Sequence, residues 1–157
     1  MHRMELVPIG LVHSSIRSRN DMPVQGVDAE VEVYPDYAGA LSGIEENSHL
    51  LLVCWLHEAD RGVLKAVARK VSHDLPEKGV FALRSPARPN PLSVSVVRLR
   101  SVREGRFLLL ANVDLIDGTP VLDLKPYQAG WDCVFSATGH DRTEKIRKMG
   151  PGEYREG

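Results

Sequence analysis

The sequence predicts a mainly β fold, a single-domain antiparallel β-barrel with one or two short helices. Many short segments alternate apolar and polar residues with the period of a β-strand, and turn residues separate them at close spacing. The 157 residues fit one domain, and 43% hydrophobic residues is ordinary for a globular protein. Because no G-x-G-x-x-G motif links a strand to a helix, no Rossmann sheet is expected. We assign residues 1–137 to the barrel and 138–157 to a charged C-terminal tail.

The first half of the chain contains three predicted strands. Leu6–Val12 is interrupted by Pro8 and Gly10, which favours an edge strand or a bent strand. Val27–Val33 alternates apolar with acidic residues, which is typical of a strand with one face in water. Ser48–Trp55 is the most apolar segment of the chain and is predicted to be a central strand.

A long polar loop, Ser14–Gly26, lies between the first two of these strands. Loops of this length inside compact domains are often functional, so Gln25 and Gly26 could offer an amide and an open backbone to a ligand. A disordered surface loop is the alternative. Tyr34–Ile44 is predicted to be a bend or a short helical turn.

The segment Gly79–Leu99 is the strongest candidate for a functional site. Its apolar pattern predicts two strands, and the three prolines of RSPARPNP stiffen the loop between them. Arg84 and Arg88 lie in this loop, and a guanidinium can hold a carboxylate or phosphate through two parallel hydrogen bonds. A proline-rich surface turn with two solvated arginines is the alternative.

A second dense segment, Asp114–Tyr127, contains more polar groups than a turn requires. Asp117-Gly118 is a turn signal, and a strand is predicted from Val121 to the Lys125-Pro126-Tyr127 end. Some of its polar side chains are therefore expected to be functional, and the candidates are Asp114, Asp123, Lys125 and Tyr127.

The remaining elements follow from the same patterns. The predicted strands are Val63–Val71, with Lys65 and Arg69 on one face, Val96–Val102 and Arg106–Val113, which flank a hairpin at Arg103-Glu104-Gly105, and Trp131–Ala137. The tail from Thr138 onward is predicted to begin with a short helix and to end frayed.

Net charge and cysteine content indicate how the protein could bind RNA and in which compartment it is expected. A net charge of −1 gives no general electrostatic attraction to nucleic acid, so an RNA partner must be bound by a local patch. Cys54 and Cys133 lie among apolar residues and are predicted to be buried, reduced thiols of a cytoplasmic protein, with a disulfide between them as the alternative. The sequence shows neither a signal peptide nor a membrane span.

His57 and Glu58 follow the most apolar strand directly, where they are placed to line a pocket. A hydrogen-bonded structural histidine is the commoner case and remains the alternative. The six histidines show no spacing typical of a metal site, so no metal is expected.

Five motifs in order resemble the TsaA-like (TrmO) family over nearly the whole chain up to about Ser136. They are Pro8-Ile9-Gly10, Pro23 with Gln25-Gly26, Ser48-His49-Leu50, RSPARPNP within Phe81–Ser95, and DGTPVLDLKPY from Asp117 to Tyr127. The resemblance implies a β-barrel, a dimer, and S-adenosyl-L-methionine as the cofactor of a tRNA methyltransferase. The implied acceptor is N6 of threonylcarbamoyladenosine, 3′ of the anticodon. One departure is Leu92-Ser93, which stands where the family usually has Ile-Gly.

The resemblance also implies the site residues. The cofactor is expected to contact Gln25, Gly26, His57, Glu58, Arg84, Val94, Asn112, Val113 and Asp114. The modified base is expected to contact Arg88, Asn90, Asp117, Lys125 and Tyr127, of which Asp117, Lys125 and Tyr127 are candidates for catalysis. A module that senses S-adenosylmethionine without catalysis, or a methyltransferase with another substrate, are the alternatives.

Overall fold

The computed structural model describes residues 4–67 and 76–134, and strands account for most of its regular structure. The strands are β1 Gly10–His13, β2 Val27–Val33, β3 His49–Trp55, β4 Lys65–Ala66, β5 Lys78–Gly79, β6 Leu92–Arg103, β7 Phe107–Val113 and β8 Pro120–Pro126. One α-helix, α1 (Ala129–Asp132), follows them, and 3-10 turns lie at Arg19–Asp21, Pro35–Leu41, Ile44–Glu46 and Val80–Ala82.

Six of these strands form a closed antiparallel barrel in the order β1-β2-β7-β6-β3-β8, which confirms the predicted fold class. The short strands β4 and β5 pair separately. The sequence allowed β1 to be either an edge strand or a bent strand. It is not an edge strand, because Gly10 lies opposite Val33 of β2 and opposite Val121 of β8. A Cβ at Gly10 would lie 2.2 Å from the carbonyl oxygen of Glu32, so glycine permits the close pairing of β1 with β2.

The barrel interior is filled by the apolar residues that alternate along the strands. The fully buried side chains include Val12, Val31, Val33, Leu50, Leu52, Val97, Leu108, Leu110, Val113 and Val121. Cys54 joins this core, and burial raises the pKa of its thiol to about 12, so the thiol is neutral and unreactive at ordinary pH. Both cysteines are free, although Cys133 is only partly buried.

The outer face of β2 carries the acidic residues that the sequence placed in water. Glu32 pairs with Arg106 at 2.7 Å and with His13 at 2.7 Å, and the hydrogen bond from Arg106 is the main cause that lowers the pKa of Glu32. The predicted hairpin between β6 and β7 is also present, with Glu104 and Gly105 at φ values of 52° and 67°.

Two predicted strands differ in the structure. The chain entering the arginine loop pairs only at Lys78–Gly79 and then turns at Val80–Ala82, because the side chain of Arg88 binds the carbonyl oxygens of Val80 and Leu83. The strand predicted over 63–71 is limited to Lys65–Ala66, and residues 68–71 of that prediction lie outside the described residues.

The predicted last strand is wrong at its first residues, where helix α1 is found instead. A closed barrel has no free edge with which another strand could pair. The helix is instead stabilised at its N-terminus, where the Asp132 carboxylate accepts a hydrogen bond from the N–H of Gln128 at 2.7 Å. Residues 135–137 of that prediction and the charged tail lie outside the described residues. Within the described part of the chain, no helix is long and apolar enough to cross a membrane.

The two ends of the barrel differ in the segments that close them. Register places the ends of β1, β3 and β7 and the starts of β2, β6 and β8 at one end, which we call the loop end. Segments 14–26, 56–91 and 114–119 connect strands there. The turn at 104–106 and the segments at 34–48 and 127–134 lie at the opposite end.

Candidate functional site

The loop Ser14–Gly26 is held tightly against the end of β7. Gly26 has a φ of 74°, and a Cβ on it would lie 2.7 Å from the carbonyl oxygen of Val113. Asn112 is itself left-handed at φ 62°, and its side-chain amide donates a hydrogen bond to the carbonyl oxygen of Gln25 at 3.3 Å. Five predicted cofactor residues therefore come together here, namely Gln25, Gly26, Asn112, Val113 and Asp114.

A left-handed residue other than glycine is uncommon in a strand and is often found at a functional site. Asn112 redirects β7 where its pairing with β6 ends, since the last pair in the register of these two strands joins Arg98 to Ala111. On its other side, β6 stays paired with β3 as far as Leu92 opposite Trp55. Val94 of β6 therefore lies beyond the last β6–β7 pair, toward the loop end.

Arg84 lies at this same part of β6. One Nη of its guanidinium donates a hydrogen bond to the carbonyl oxygen of Val94 at 2.5 Å, and its side chain is exposed to solvent. The structure thus brings together two residues that the sequence assigned to the cofactor from positions ten residues apart. The bond fixes a planar cation at the loop end, where it can meet an anionic group.

His57 and Glu58 lie in the turn that follows β3, and this turn is tied to the proline loop. The N–H of Leu56 donates to the carbonyl oxygen of Pro91 at 2.8 Å. Arg61 donates from Nε to the carbonyl oxygen of Pro89 at 2.8 Å. These contacts bring the exposed side chains of His57 and Glu58 to the same end as Asn90, which lies between the two prolines.

Arg61 was not predicted from the sequence. Its guanidinium stacks 5.3 Å from the centre of the Trp55 ring, in addition to its bond to the proline loop. The available signal was the Asp60-Arg61-Gly62 sequence after a buried strand, which is also typical of an ordinary turn.

Arg88 differs from Arg84 in its contacts. It is partly buried and donates from Nε to the carbonyl oxygen of Ser85 at 2.8 Å, and from Nη2 to the carbonyl oxygens of Val80, at 2.7 Å, and Leu83. These bonds hold the chain from Val80 to Ser85 in one conformation. The structure therefore shows Arg88 binding its own loop, whereas the sequence suggested that it contacts substrate.

Asp117 also makes a contact within the chain. Its carboxylate accepts a hydrogen bond from the N–H of Ser14 at 3.0 Å, and its own N–H donates to the carbonyl oxygen of Ile16 at 2.8 Å. The turn before β8 thereby fixes the start of the loop Ser14–Gly26. Asp117 lies at the loop end with the cofactor candidates.

Lys125 and Tyr127 are separated from the other candidates. Lys125 lies opposite Leu51 near the far end of β8, and the N–H of Tyr127 donates to the carbonyl oxygen of His49 at 3.0 Å. The ammonium of Lys125 pairs with the Asp123 carboxylate at 2.9 Å, and this hydrogen bond is the main cause that raises the pKa of Lys125. One chain therefore does not bring these two residues to the loop end.

Two surface depressions lie away from the loop end. One has a volume of about 370 Å³ and the other about 300 Å³, and Glu45 and Val102 line both of them. Among the described residues, no group of three or more His, Cys, Asp or Glu side chains is arranged to hold a metal ion. We therefore choose the loop end as the candidate site because of its polar groups, and neither depression contributes a residue to it.

Comparison with known proteins gives a consistent result. The family model of the tRNA-methyltransferase O N-terminal domain (TrmO_N) matches residues 11–133. A probable S-adenosyl-L-methionine-binding protein of Pyrococcus abyssi is 42% identical over 131 residues, which cover 80% of this chain and 68% of that protein. One from Methanothermobacter thermautotrophicus is 40% identical over 131 residues, covering 81% of this chain and 92% of that protein.

Solved structures agree with these relatives. The crystal structure of TrmO from Pseudomonas aeruginosa superposes with a TM-score of 0.72 at 32% identity, covering 88% of this chain and 62% of that one. The chain therefore spans about three-fifths of the length of that TrmO protein.

Proposed function

Because the chain belongs to the TrmO N-terminal domain family, we propose that it methylates N6 of threonylcarbamoyladenosine beside the anticodon of a tRNA. Its cofactor is S-adenosyl-L-methionine, for which its relatives are named. The observations that carry the proposal are the contact of Gln25-Gly26 with Asn112-Val113 and the Arg84–Val94 hydrogen bond, both at the loop end. A tRNA substrate would place the protein in the cytoplasm.

The groups at the loop end fit the chemistry of this cofactor. Arg84 is suited to the methionine carboxylate, because a guanidinium matches a carboxylate with two parallel hydrogen bonds. Glu58 and Asp114 can accept hydrogen bonds from the ammonium group or the ribose hydroxyls, and both are exposed there. Gln25, Gly26, His57, Val94, Asn112 and Val113 complete the proposed cofactor site. The cofactor supplies an electrophilic methyl group on a sulfonium.

The protein contributes mainly alignment, since methyl transfer is a direct displacement that needs no covalent catalyst. The new bond joins the methyl carbon to N6 while the carbon–sulfur bond breaks, and the N6 proton leaves to a base. The threonylcarbamoyl carbonyl makes this proton more acidic, so a modest base is sufficient. Asp117 is the candidate at the loop end, because its carboxylate is only partly buried and accepts a single backbone hydrogen bond in the structure.

Lys125 is better suited to binding the threonyl carboxylate than to removing a proton. Its pKa is raised by Asp123, so its ammonium stays charged and cannot act as a base at neutral pH. Tyr127 would assist with its hydroxyl. Asn90 would contact the base directly at the loop end, whereas Arg88 would act on the substrate through the loop that it holds.

We propose a homodimer because Lys125 and Tyr127 lie toward the opposite end of β8 from Asp117 and the loop end. The outer surface of β6 between them exposes Leu92, Val94 and Val96 at 38%, 47% and 43%. A second copy packed on this apolar strip, with a two-fold axis that crosses the strands, would bring its Lys125 end to the loop end of the first. The site would then use residues of both copies.

The decisive experiment compares two tRNA molecules of one sequence, with and without threonylcarbamoyl, after incubation with the protein and S-adenosyl-L-methionine. Nucleoside mass spectrometry should detect methylation only of the modified adenosine. Discrimination is expected because the threonylcarbamoyl group both acidifies the N6 proton and supplies the carboxylate that Lys125 would bind.

Equal methylation of both tRNA molecules would contradict the proposed specificity. If neither is methylated while calorimetry still detects cofactor binding, the protein is a sensor of S-adenosylmethionine or acts on another substrate. If calorimetry detects no cofactor binding, the assignment of the loop end as the cofactor site is wrong.

A further inference from the structure

Phe81 is an exposed aromatic residue at the loop end that the cofactor site does not use. It is 85% exposed and lies at the centre of the 3-10 turn Val80–Ala82. Leu64, whose carbonyl oxygen accepts a hydrogen bond from the N–H of Val80, is 67% exposed, so two apolar side chains near this turn are left in solvent. Exposed apolar surface of this kind often marks a binding site.

The turn that carries Phe81 is rigid. Val80 is 2% exposed, and its N–H donates to the carbonyl oxygen of Leu64 at 3.0 Å. Arg88 binds the carbonyl oxygens of Val80 and Leu83, on either side of the aromatic residue. The backbone of Phe81 is therefore fixed before any partner arrives, and little conformational entropy is lost when the ring makes a contact.

Cations flank this aromatic side chain. Arg84 follows it by three residues and is exposed, and the exposed Lys65 of β4 lies opposite Gly79, which precedes the turn. Proteins bind single-stranded nucleic acid with this combination, in which an aromatic ring stacks on a base while cations hold the phosphates. Lys65 is the cation proposed for a phosphate, since Arg84 is assigned to the cofactor carboxylate, and a purely apolar protein partner would gain nothing from it.

We infer that Phe81 is a stacking platform for an unpaired nucleobase next to the acceptor nucleotide. The inference rests on the proposed function, because an anticodon loop supplies the unpaired bases. Arg84 connects the two sites, since it lies three residues from Phe81 and contacts Val94 at the proposed cofactor site. The base on Phe81 would therefore neighbour the reacting base along the strand.

The test replaces Phe81 with alanine and with tryptophan and measures methylation of an anticodon stem-loop. Phe81→Ala should raise KM for the RNA about 5- to 150-fold, the range expected when one base–aromatic stack is lost. Phe81→Trp should restore the wild-type KM. The affinity for S-adenosyl-L-methionine and the melting temperature should not change, because the ring is exposed. Tyr37→Ala, an exposed aromatic at the opposite end of the barrel, is the matched control and should leave KM unchanged.

An unchanged KM in Phe81→Ala would overturn the inference. Loss of self-association in that variant, measured by sedimentation velocity, would also overturn it and assign the ring to contact with a second copy. Fluorescence anisotropy with the labelled stem-loop separates this inference from the proposed function. If the wild-type protein methylates no tRNA but the Phe81→Ala variant binds the stem-loop more weakly than the wild type, the proposed function fails and the stacking role stands.

Discussion

Arg84 and Arg88 lie four residues apart and serve different purposes. Arg88 is partly buried and hydrogen-bonded to three carbonyl oxygens of its own loop, whereas Arg84 is exposed and contacts the carbonyl oxygen of Val94. A guanidinium can donate along several directions in one plane, which a lysine ammonium cannot reproduce. The two residues should therefore differ in their response to the same substitution.

Arg88→Lys should lower the free energy of unfolding by about 1–3 kcal/mol, because it leaves carbonyl oxygens of the loop without their charged donor. Arg84→Lys should change the free energy of unfolding by less than about 0.5 kcal/mol, as is usual for an exposed residue. It should instead weaken cofactor binding by about 5- to 150-fold. Urea unfolding and calorimetry measure the two effects. Equal destabilisation by both substitutions would contradict this division of roles.

The sequence could predict that both arginines matter but not how they differ. Residue type and spacing indicate an anion-binding loop, yet burial and carbonyl partners depend on how the loop folds back on itself. The same limit applies to Asn112, since nothing in RFLLLANV indicates that its last asparagine is left-handed. Such conformations are imposed by tertiary contacts, here the docking of Gly26.

At the scale of elements, the loop Ser14–Gly26 depends on its last residue. Gly26 combines a left-handed backbone with a close approach to the end of β7, so a side chain there meets two independent penalties. Gly43 has a similar φ of 81° but nothing within 4 Å of an added Cβ, and it lies at the opposite end of the barrel. Comparing alanine substitutions at Gly26 and Gly43 therefore separates the effect of backbone strain from the effect of moving the loop.

Gly43→Ala should cost about 1–2 kcal/mol of stability, the price of a left-handed alanine. Gly26→Ala should cost more and should also weaken binding of S-adenosyl-L-methionine at least about tenfold, because the loop must move away from Val113. Thermal unfolding and calorimetry on both variants test this. Normal cofactor affinity in Gly26→Ala would show that the loop does not form part of the site.

Alternating patterns predicted the barrel strands well because each has one buried and one solvated face. β2 matches its predicted bounds, and β3, β7 and β8 differ by about one residue at an end. The patterns failed around Phe81 and Trp131. At Phe81 side-chain hydrogen bonds from Arg88 form a turn, and at Trp131 the closed barrel leaves no edge to extend. Both failures come from contacts with distant or later residues, which local alternation does not encode.

At the scale of the whole molecule, the proposed homodimer would share each site between two copies of the chain. Arg84→Ala and Lys125→Ala should each be inactive alone, since each variant removes one half of every site. Co-expression of the two variants with different tags should yield heterodimers in which one of the two sites is intact. Random pairing should recover about a quarter of wild-type activity.

An active monomer, or a purified heterodimer without activity, would contradict the shared site. The sequence could not have separated Lys125 and Tyr127 from the other candidates, because they lie within fourteen residues of Asp114. Only the direction of β8 shows that the strand carries them to the other end of the barrel.

Closure of the barrel also sets the order in which its strands can pair during synthesis. The barrel is completed when Gly10 and Leu11 pair with Val121 and Pro120, so β1 cannot complete its pairing until β8 is present. A ribosome must deliver nearly all of the barrel sequence before β1 can gain its second neighbour, and pairing over such a separation is intrinsically slow. Until then the nascent chain presents open strand edges to other chains. The barrel is therefore most exposed to misassembly just before β8 emerges.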